Sequence, residues 1–395
     1  MAKFVAGLED VIALESSICL VDGTHGKLYY RGYSIEELAA HSTFEETAYL
    51  LWFGELPTSF QLKDVEDSLL DNREFPGEVL DIIRDFPPTA TPMEVLRTVV
   101  SALSSFDRNA CYFSREADLC KTMRLTAQIP VAVAAHHRIR SGLPVMTPRA
   151  ELGHAANFLY MLQGIEPDAV SARAFDVALV LHADHELNAS TFAARVSAGT
   201  LADMYSSITS AIGTLAGPLH GGANQQVMQM LEEIGDMARV EEYVDRTLKE
   251  KKRVMGFGHR VYDTTDPRAE VLRQLSQEVG ASKGDLRWFE ISEKIRETVW
   301  RKKQLYPNVD FYSASLYHVL GIPHDLFTPV FAISRIAGWT AHVLEQYANN
   351  RLIRPRAEYV GPRNRQYVPI DDRGEYPVLP ELRDQESPQE GTQTQ

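Results

Sequence analysis

The sequence predicts an all-α, mainly helical protein with a small β-hairpin near its N-terminus. Helix-start and helix-stop signals recur along the chain, whereas strand-like alternation of apolar residues is confined to one short segment. With 395 residues, of which 44% are hydrophobic and 24% charged, the composition is that of an ordinary globular protein. At about 150 residues per domain, this length predicts two to three domains.

The strand signals lie between residues 18 and 30. Ile18 and Leu20 alternate with polar positions, and Leu28 to Tyr30 follow a turn that contains two glycines. Such a pattern on both sides of a short turn is typical of a β-hairpin. The rest of the chain is expected to be mostly α-helical.

Helix starts are marked by Ser or Thr followed three residues later by Glu, which is the capping-box pattern. These pairs are Ser34 with Glu37, Thr43 with Glu46, and Thr91 with Glu94, the last with Pro92 at the first helical position. Further helices are predicted over 115–141 and 150–163, each ending before a glycine, and from Asp266-Pro267 onward. We expect Pro130 to kink the first of these rather than to divide it.

The net charge excludes one class of partner. Forty basic and 54 acidic residues leave a net charge of −14, which is the wrong sign for nonspecific nucleic-acid binding. An anionic substrate must therefore bind to local arginines and histidines.

The remaining features of composition predict a soluble, cytoplasmic protein. Cys19, Cys111 and Cys120 lack metal-site spacing and are expected to be reduced thiols. No signal-peptide pattern or run of 18 apolar residues is present, so we expect no membrane partner. The segment 376–395 is rich in Pro, Glu and Gln and is predicted to be disordered.

Two glycine-rich turns contain histidines. His220 lies in GPLHGGAN (217–224), ahead of a helix predicted from about Asn224, whose N-terminal dipole would favour a neutral imidazole. His259 follows Gly256-Phe-Gly258, which begins like a dinucleotide loop but lacks the third glycine and a preceding strand. Each turn either binds a ligand or merely joins two helices with a solvated histidine, and the sequence leaves both interpretations open.

A metal site at His182-Ala-Asp184-His185 is a further alternative. A helix would place His182 and His185 on one face, but Asp184 would then point elsewhere, and no third ligand is evident. This arrangement favours substrate-binding or packed histidines over a metal site.

Three charged residues at or within predicted helices are further candidates for function. Asp310, between Val309 and Phe311, is either an N-cap or a partly desolvated base with a raised pKa. Arg268 lies in the first turn of a helix, where its charge opposes the dipole. Arg335 has no acid within four residues in an apolar helix, so it requires either a distant acid or a bound anion.

Six segments together resemble the citrate synthase family. They are LHADHELNAS (181–190), GPLHGGAN (217–224), GFGHRVY with DPR (256–268), YPNVDFYSA (306–314), FAISRIAGW (331–339) and RLIRPRAEYVG (351–361). With the N-terminal segments, the resemblance covers about residues 5–361. Six motifs in the family's order form a highly specific pattern.

The resemblance implies condensation of oxaloacetate with acetyl-CoA and hydrolysis of citryl-CoA to citrate and CoA. By family role, Asp310 removes a proton from the acetyl methyl group, His220 hydrogen-bonds the thioester oxygen, and His259 polarises the oxaloacetate carbonyl. The residues that match the carboxylate-binding set are His185, Arg268, Arg335 and, across a homodimer interface, Arg354. The residues that match the segment against the CoA adenine are Val254, Met255, Gly256, Phe257 and Gly258.

The resemblance also implies a domain organisation and a set of partners. It predicts a large helical domain (1–220 and 316–375) with a smaller inserted domain (221–315). It implies no cofactor and no metal, with acetyl-CoA as co-substrate.

One departure and two rival functions remain. Many relatives carry Lys or Arg where this chain has Asp263, so a cation that would meet a CoA phosphate is missing; Arg260 or the basic run 251–253 are the candidate replacements. The nearer rival is 2-methylcitrate synthase, which uses propionyl-CoA, because one methylene gives little discrimination. A catalytically silent scaffold is disfavoured, because Asp310, His220 and His259 are all present.

Overall fold

The computed structural model describes residues 4–8, 11–259 and 261–373. The chain divides into two compact units, one formed by residues 12–353 and the other by residues 1–11 with 354–395. The segment 376–395, predicted to be disordered, lies outside the described residues. The predicted inserted domain at 221–315 stays a prediction.

The predicted hairpin is confirmed and extended by a third strand. Strands β1 (Cys19–Asp22), β2 (Lys27–Tyr30) and β3 (Tyr33–Ser34) form an antiparallel sheet in that order. Leu20 pairs with Tyr29, and Tyr30 pairs with Tyr33. Because Leu28 and Tyr30 on one face of β2 are fully buried, the sheet packs against the helices rather than standing free.

The predicted all-α class is confirmed. Sixteen α-helices occur in the described residues. They are α1 (Ile35–His41), α2 (Phe44–Phe53), α3 (Ser59–Asp71), α4 (Gly77–Arg84), α5 (Pro92–Leu103), α6 (Arg115–Arg140), α7 (His154–Gln163), α8 (Ala169–His182), α9 (Ala189–Gly199), α10 (Met204–Leu215), α11 (Ala223–Ile234), α12 (Val240–Lys249), α13 (Pro267–Lys283), α14 (Arg287–Lys303), α15 (Val309–Val319) and α16 (Phe327–Ala348). In the part of the chain that is described, no helix is both long and apolar enough to cross a bilayer.

Local capping explains most helix starts. Thr43 and Thr91 each form the complete capping box with the glutamate three residues later, and Ser34 accepts a hydrogen bond from the backbone of Glu37. The predicted helix starts at Ser34, Thr43 and Thr91 are therefore confirmed. Helix α6 runs unbroken through Pro130.

Helix α7 begins four residues later than predicted. The residue before it is Gly153, whose lack of a side chain excludes an ordinary N-cap. The backbone N–H of His154 instead donates to Oε1 of Glu45, 2.7 Å away, a residue of helix α2. The cap is thus supplied by tertiary structure, which a local pattern does not reveal.

Helix α16 organises the larger unit. It is buried along almost its whole length and packs against α2, α6, α8, α9 and α10. Within it, the backbone N–H of Gly338 donates to the carbonyl of Ala183, 3.1 Å away, just beyond the end of α8. A Cβ at Gly338 would lie 2.3 Å from that oxygen and 2.4 Å from Oδ1 of Asp184. Only glycine permits this close approach, which holds α16 against the loop after α8.

We predict that Gly338→Ala lowers the free energy of unfolding by about 1–3 kcal/mol, the usual cost of overpacking. The matched control is Gly213→Ala on α10, where the nearest atom to a new Cβ is Cδ of Arg97 at 3.7 Å. That control should gain about 0.5–1 kcal/mol, because alanine favours helix. Urea unfolding of both variants checks this, and equal stability of the two would contradict the close-packing argument.

Candidate active site

The loop after α8 separates His182 from His185. Helix α8 ends at His182, so the helical arrangement that a metal site at these two histidines would need does not occur. The hydroxyl of Tyr30 donates to the carbonyl of Asp184 at 2.8 Å and accepts from its N–H at 3.1 Å, which holds the loop outside helical geometry. His182 is fully buried, with Nδ1 2.8 Å from the carbonyl of Ala178. His182 is a packed histidine, whereas His185 lies against His259 and Tyr262.

His185, His259 and Tyr262 form an aromatic cluster. The ring centroids of His185 and His259 are 5.4 Å apart, and Nε2 of His185 lies 3.3 Å from the Tyr262 hydroxyl. Nδ1 of His259 accepts hydrogen bonds from the backbone N–H groups of Val261 and Tyr262, at 3.0 and 3.1 Å. We therefore assign the proton of neutral His259 to Nε2. Burial, reinforced by Arg268, lowers the pKa of His259 to about 4.

In His220 the hydrogen bonds involve the other ring nitrogen, Nε2. Its Nε2 accepts from the backbone N–H of Ser190 at 3.3 Å and lies 2.8 Å from the Ser190 hydroxyl. The oxygen of this hydroxyl accepts a hydrogen bond from the indole N–H of Trp339. Because a backbone N–H is always a donor, we assign the proton of His220 to Nδ1. The pKa of His220 is lowered to about 4, first by burial and then by Arg335.

The neutral state predicted for His220 agrees with this lowered pKa, but its surroundings differ from those predicted. The expected helix, α11, does begin next to the turn, at Ala223. However, Nε2 of His220 meets the first turn of α9, through the N–H of Ser190. A cation there would oppose the α9 dipole, which also favours the neutral ring.

Asp310 is not a helix cap, so the capping interpretation is wrong. The N-cap of α15 is Asn308, whose Oδ1 accepts from the backbone N–H of Asp310 at 3.0 Å. The carboxylate of Asp310 is therefore not used to cap α15. Burial raises its pKa, Arg268 and Arg335 lower it and the charge of Asp266 raises it, and together these effects bring the pKa to about 6. The raised pKa expected from the flanking aromatics is confirmed in direction.

The same Asn308 ties the glycine loop to α15. Its N–H donates to the carbonyl of Gly256 at 2.9 Å, and its side-chain amide donates to that of Gly258 at 3.0 Å. Gly256 and Gly258 have φ of +80° and +79°, which glycine adopts without strain. A Cβ at Gly256 would lie 2.8 Å from the Phe311 ring. The loop thus lies directly against the start of α15.

The two buried arginines differ in their partners. Arg268 forms a two-fold ion pair with Asp266, at 3.0 and 2.8 Å, and Asp266 is also the N-cap of α13. The charge that should oppose the dipole is thereby balanced. Arg335 donates to the carbonyl of His182 at 2.7 Å, and its guanidinium lies 4.7 Å from the Phe331 ring centre. No carboxylate of the described residues lies within 4.0 Å of it, but the charge of the buried Asp184 acts on it from a greater distance, so a distant acid and a bound anion both stay open as partners.

The other predicted residues have varied surroundings. In the segment predicted to meet CoA, Val254 and Gly256 are buried, and Met255, Phe257 and Gly258 are partly exposed. Asp263 is exposed, and its backbone N–H donates to the carbonyl of Gly23 at 3.1 Å. A Cβ on Gly23 would lie 2.0 Å from the carbonyl oxygen of Val261, so the hairpin turn presses on this segment.

Two predicted residues have roles that stay predictions. Arg260 lies outside the described residues. Arg354 is exposed and belongs to the smaller unit, so its binding role stays a prediction.

Comparison with known proteins identifies the family. The family model described as "Citrate synthase, C-terminal domain" matches residues 7–356. A citrate synthase of Haloferax volcanii is 50% identical over 372 residues, which is 93% of this chain and 98% of that protein. The chain belongs to the citrate synthase family. The predicted family, enzyme class and citrate synthase activity are thereby confirmed.

Solved structures of the family agree. The crystal structure of the Pyrobaculum aerophilum citrate synthase has a TM-score of 0.88 at 44% identity, covering 94% of this chain and 95% of that one. The Thermoplasma acidophilum citrate synthase, solved as a ternary complex with carboxymethyl coenzyme A and oxaloacetate, has a TM-score of 0.88 at 34% identity over 94% and 100% of the two chains. A 2-methylcitrate synthase of Shewanella oneidensis is 41% identical over 369 residues, 93% of this chain and 98% of that protein, and is thus more distant than the Haloferax enzyme.

Several residues of this pocket were missed by sequence reasoning. Ser190 contacts His220 and accepts a hydrogen bond from Trp339. Tyr262 contacts His185, and Asn308 caps α15 in place of Asp310. All four lie inside or beside the quoted motifs, but their roles depend on contacts between segments. Asp266 was recognised as a helix start, and its pairing with Arg268 follows from their spacing of two residues.

We predict that Ser190→Ala lowers citrate synthase activity by about 10- to 100-fold. The variant leaves the indole N–H of Trp339 without its acceptor and loosens His220, a cost of about 1–3 kcal/mol. The matched control is Ser197→Ala on the same helix, whose hydroxyl instead bonds Ser210 at 2.8 Å. Steady-state rates, with imidazole nitrogen NMR of His220, check this; equal rates for the two variants would argue against the role of Ser190.

Proposed function

We propose that this pocket condenses oxaloacetate with the acetyl group of acetyl-CoA and hydrolyses the resulting citryl-CoA to citrate and CoA. One observation carries the proposal: Asp310, whose pKa is raised to about 6, has the same charged neighbours as two neutral histidines, Arg335 in common with His220 and Arg268 in common with His259. An α-proton of a thioester is too weakly acidic for a carboxylate alone, so donors toward the developing oxyanion are required. The arrangement supplies a base and two such donors.

In the condensation, Asp310 removes a proton from the acetyl methyl group. His220 donates a hydrogen bond from Nδ1–H to the thioester oxygen and stabilises the enolate. His259 donates its Nε2–H to the ketone oxygen of oxaloacetate, so that the new C–C bond forms as this oxygen becomes a hydroxyl. Water then attacks the thioester carbonyl of citryl-CoA, the C–S bond breaks, and a proton of the water passes to the sulfur, which leaves as the thiol of CoA. The proton that Asp310 took from the methyl group returns through solvent to Nε2 of His259, which restores both groups.

The carboxylates of oxaloacetate are proposed to bind to His185, Arg268 and Arg335. Arg335 supports this most strongly, because no carboxylate of the described residues lies within 4.0 Å of its buried charge. A planar guanidinium binds a carboxylate through two parallel hydrogen bonds, which a lysine cannot match. We further propose that Arg354 completes the site from the second subunit of a homodimer.

The remaining proposals concern CoA and the setting. Residues 254–258 are proposed to contact the CoA adenine. Asp263 contacts Gly23 through its backbone, and its exposed side chain is an acid, so it offers no cation to a CoA phosphate. No cofactor or metal takes part in the proposed reaction. The enzyme is proposed to work in the cytoplasm.

The test of the acyl donor is release of CoA thiol with oxaloacetate, comparing acetyl-CoA with propionyl-CoA in the presence of EDTA. Faster turnover of acetyl-CoA is expected, in line with the greater identity to citrate synthases than to 2-methylcitrate synthases. Faster turnover of propionyl-CoA would reassign the chain to 2-methylcitrate synthesis. Silence with both would favour a scaffold.

We predict that Asp310→Asn lowers turnover by about 100- to 10,000-fold, the usual contribution of a general base. The amide keeps the size of the side chain but cannot accept the proton, so oxaloacetate affinity should change little. Isothermal titration with oxaloacetate and a rate assay check both halves. The control is Asp245→Asn, an exposed aspartate on α12 that pairs with Lys302. An active Asp310→Asn enzyme would refute the base assignment.

Turnover should also fall as the pH is lowered through about 6. Burial raises the pKa of Asp310 to about 6. Only the ionised carboxylate can accept a proton, and its fraction falls as the pH drops through this value. His220 and His259, with pKa values lowered to about 4, stay neutral over this range and add no limb above pH 5. A kcat profile from pH 5 to 8, with circular dichroism to monitor folding, tests this; a flat profile would contradict it.

A further inference from the structure

Two histidines and a glutamate converge at a place remote from the catalytic groups. Glu232 lies on α11, His318 in the last turn of α15, and His324 begins the short 3-10 helix (His324–Leu326) that leads into α16. One donor atom from each residue lies within 4.8 Å of the donor atoms of the other two. These three residues, Glu232, His318 and His324, are called the His-His-Glu cluster below.

The geometry of the cluster is close to that of a metal site. Nδ1 of His318 lies 2.8 Å from Nε2 of His324, whereas the other nitrogen of His324, Nδ1, lies 3.6 Å from a carboxylate oxygen of Glu232. An imidazole gives one nitrogen to an ion, and with one donor atom from each residue the three donors still lie within 4.8 Å of one another. Two imidazole nitrogens bound tetrahedrally at 2.0–2.1 Å to one Zn²⁺ stand about 3.3 Å apart. The rings therefore need to separate by only about half an ångström to admit an ion.

The surroundings hold both rings and leave the carboxylate accessible. Trp288 packs edge-on against His318 with ring centroids 5.0 Å apart, and Phe327 lies 5.4 Å from His324. Both histidines are partly buried, whereas Glu232 is exposed. An ion can thus enter from solvent on the side of Glu232, and water can complete its coordination.

We propose that the His-His-Glu cluster binds a divalent first-row transition metal ion, with Zn²⁺ as the probe ion. Imidazole nitrogen with one carboxylate suits Zn²⁺, Co²⁺, Ni²⁺ or Cu²⁺, whereas Mg²⁺ and Ca²⁺ prefer sets of oxygens. Three protein ligands with an open fourth position satisfy tetrahedral zinc.

The proposed ion links three elements of the fold without entering the reaction. It joins α11, the end of α15 and the segment before α16. His318 lies eight residues after Asp310 on α15, which is about 12 Å along the helix axis. The ion is therefore too far from Asp310 to act on substrate, and its role is to fasten the helices that carry Asp310 and Arg335. The proposal does not depend on the proposed function.

The first experiment is titration of the EDTA-treated and desalted full chain with Zn²⁺ against a chromophoric chelator. One site per chain is expected, and His324→Gln should weaken it by more than about 10- to 100-fold, the loss that even an outer-shell partner brings. The matched control is His41→Gln, an exposed histidine that faces only Glu37, at 3.8 Å. Equal Zn²⁺ binding by wild type and His324→Gln would overturn the proposal.

Two further measurements secure the result. Zn²⁺ should raise the Tm of the wild type and of His41→Gln but not of His324→Gln, because binding to the folded state alone stabilises it. Glu232→Gln changes only an exposed side chain, so it tests the site even if His324→Gln folds poorly, and it should also weaken binding. Unaltered binding in Glu232→Gln, or no Tm rise in the wild type, would contradict the three-ligand site. Citrate formation should be the same with and without EDTA.

Discussion

The buried charge of Arg335 is the constraint on which the pocket depends. Burying a guanidinium without a carboxylate in contact is costly, and here the cost is offset in part by the carbonyl of His182, the face of Phe331 and the more distant charge of Asp184. The same charge acts on its neighbours. After burial itself, it helps to lower the pKa of His220, and it restrains the rise in the pKa of Asp310. One cation thus helps to keep the His220 imidazole neutral, and in the proposed function it also attracts the carboxylates of oxaloacetate.

Close backbone packing holds this charge in place. Gly338, one turn beyond Arg335 on α16, contacts the carbonyl of Ala183, and the loop that follows carries His185. On the other side of the pocket, Asn308 joins the glycine loop to the first turn of α15. The candidate site is therefore held by two close backbone contacts, one at Gly338 and one between Asn308 and the glycine loop. Such contacts are rigid, which suits donors that must be oriented before the reaction begins.

The success of sequence reasoning follows the range of the interactions concerned. Caps at Thr43 and Thr91 are decided within four residues, so their patterns predict them. The start of α7 depends on Glu45, which is 109 residues from His154, and the end of α8 is set by the Tyr30 hydroxyl, which is 154 residues from Asp184. For Asp310 the sequence left two interpretations open, an N-cap and a desolvated acid, and the raised pKa agrees with the second. Its capping alternative failed because Asn308, two residues earlier, competes for the same N–H groups.

The contact between the N-terminal hairpin and the segment after His259 has a consequence for how the enzyme is made. Gly23 and Val261 meet so closely that neither segment can take its final path without the other, although about 240 residues separate them. Contacts of such high sequence separation form late, because a long loop must close first. During synthesis the hairpin leaves the ribosome long before its partner. The position of His259 is therefore among the last features to mature, and catalytic competence should appear after most helices have already formed.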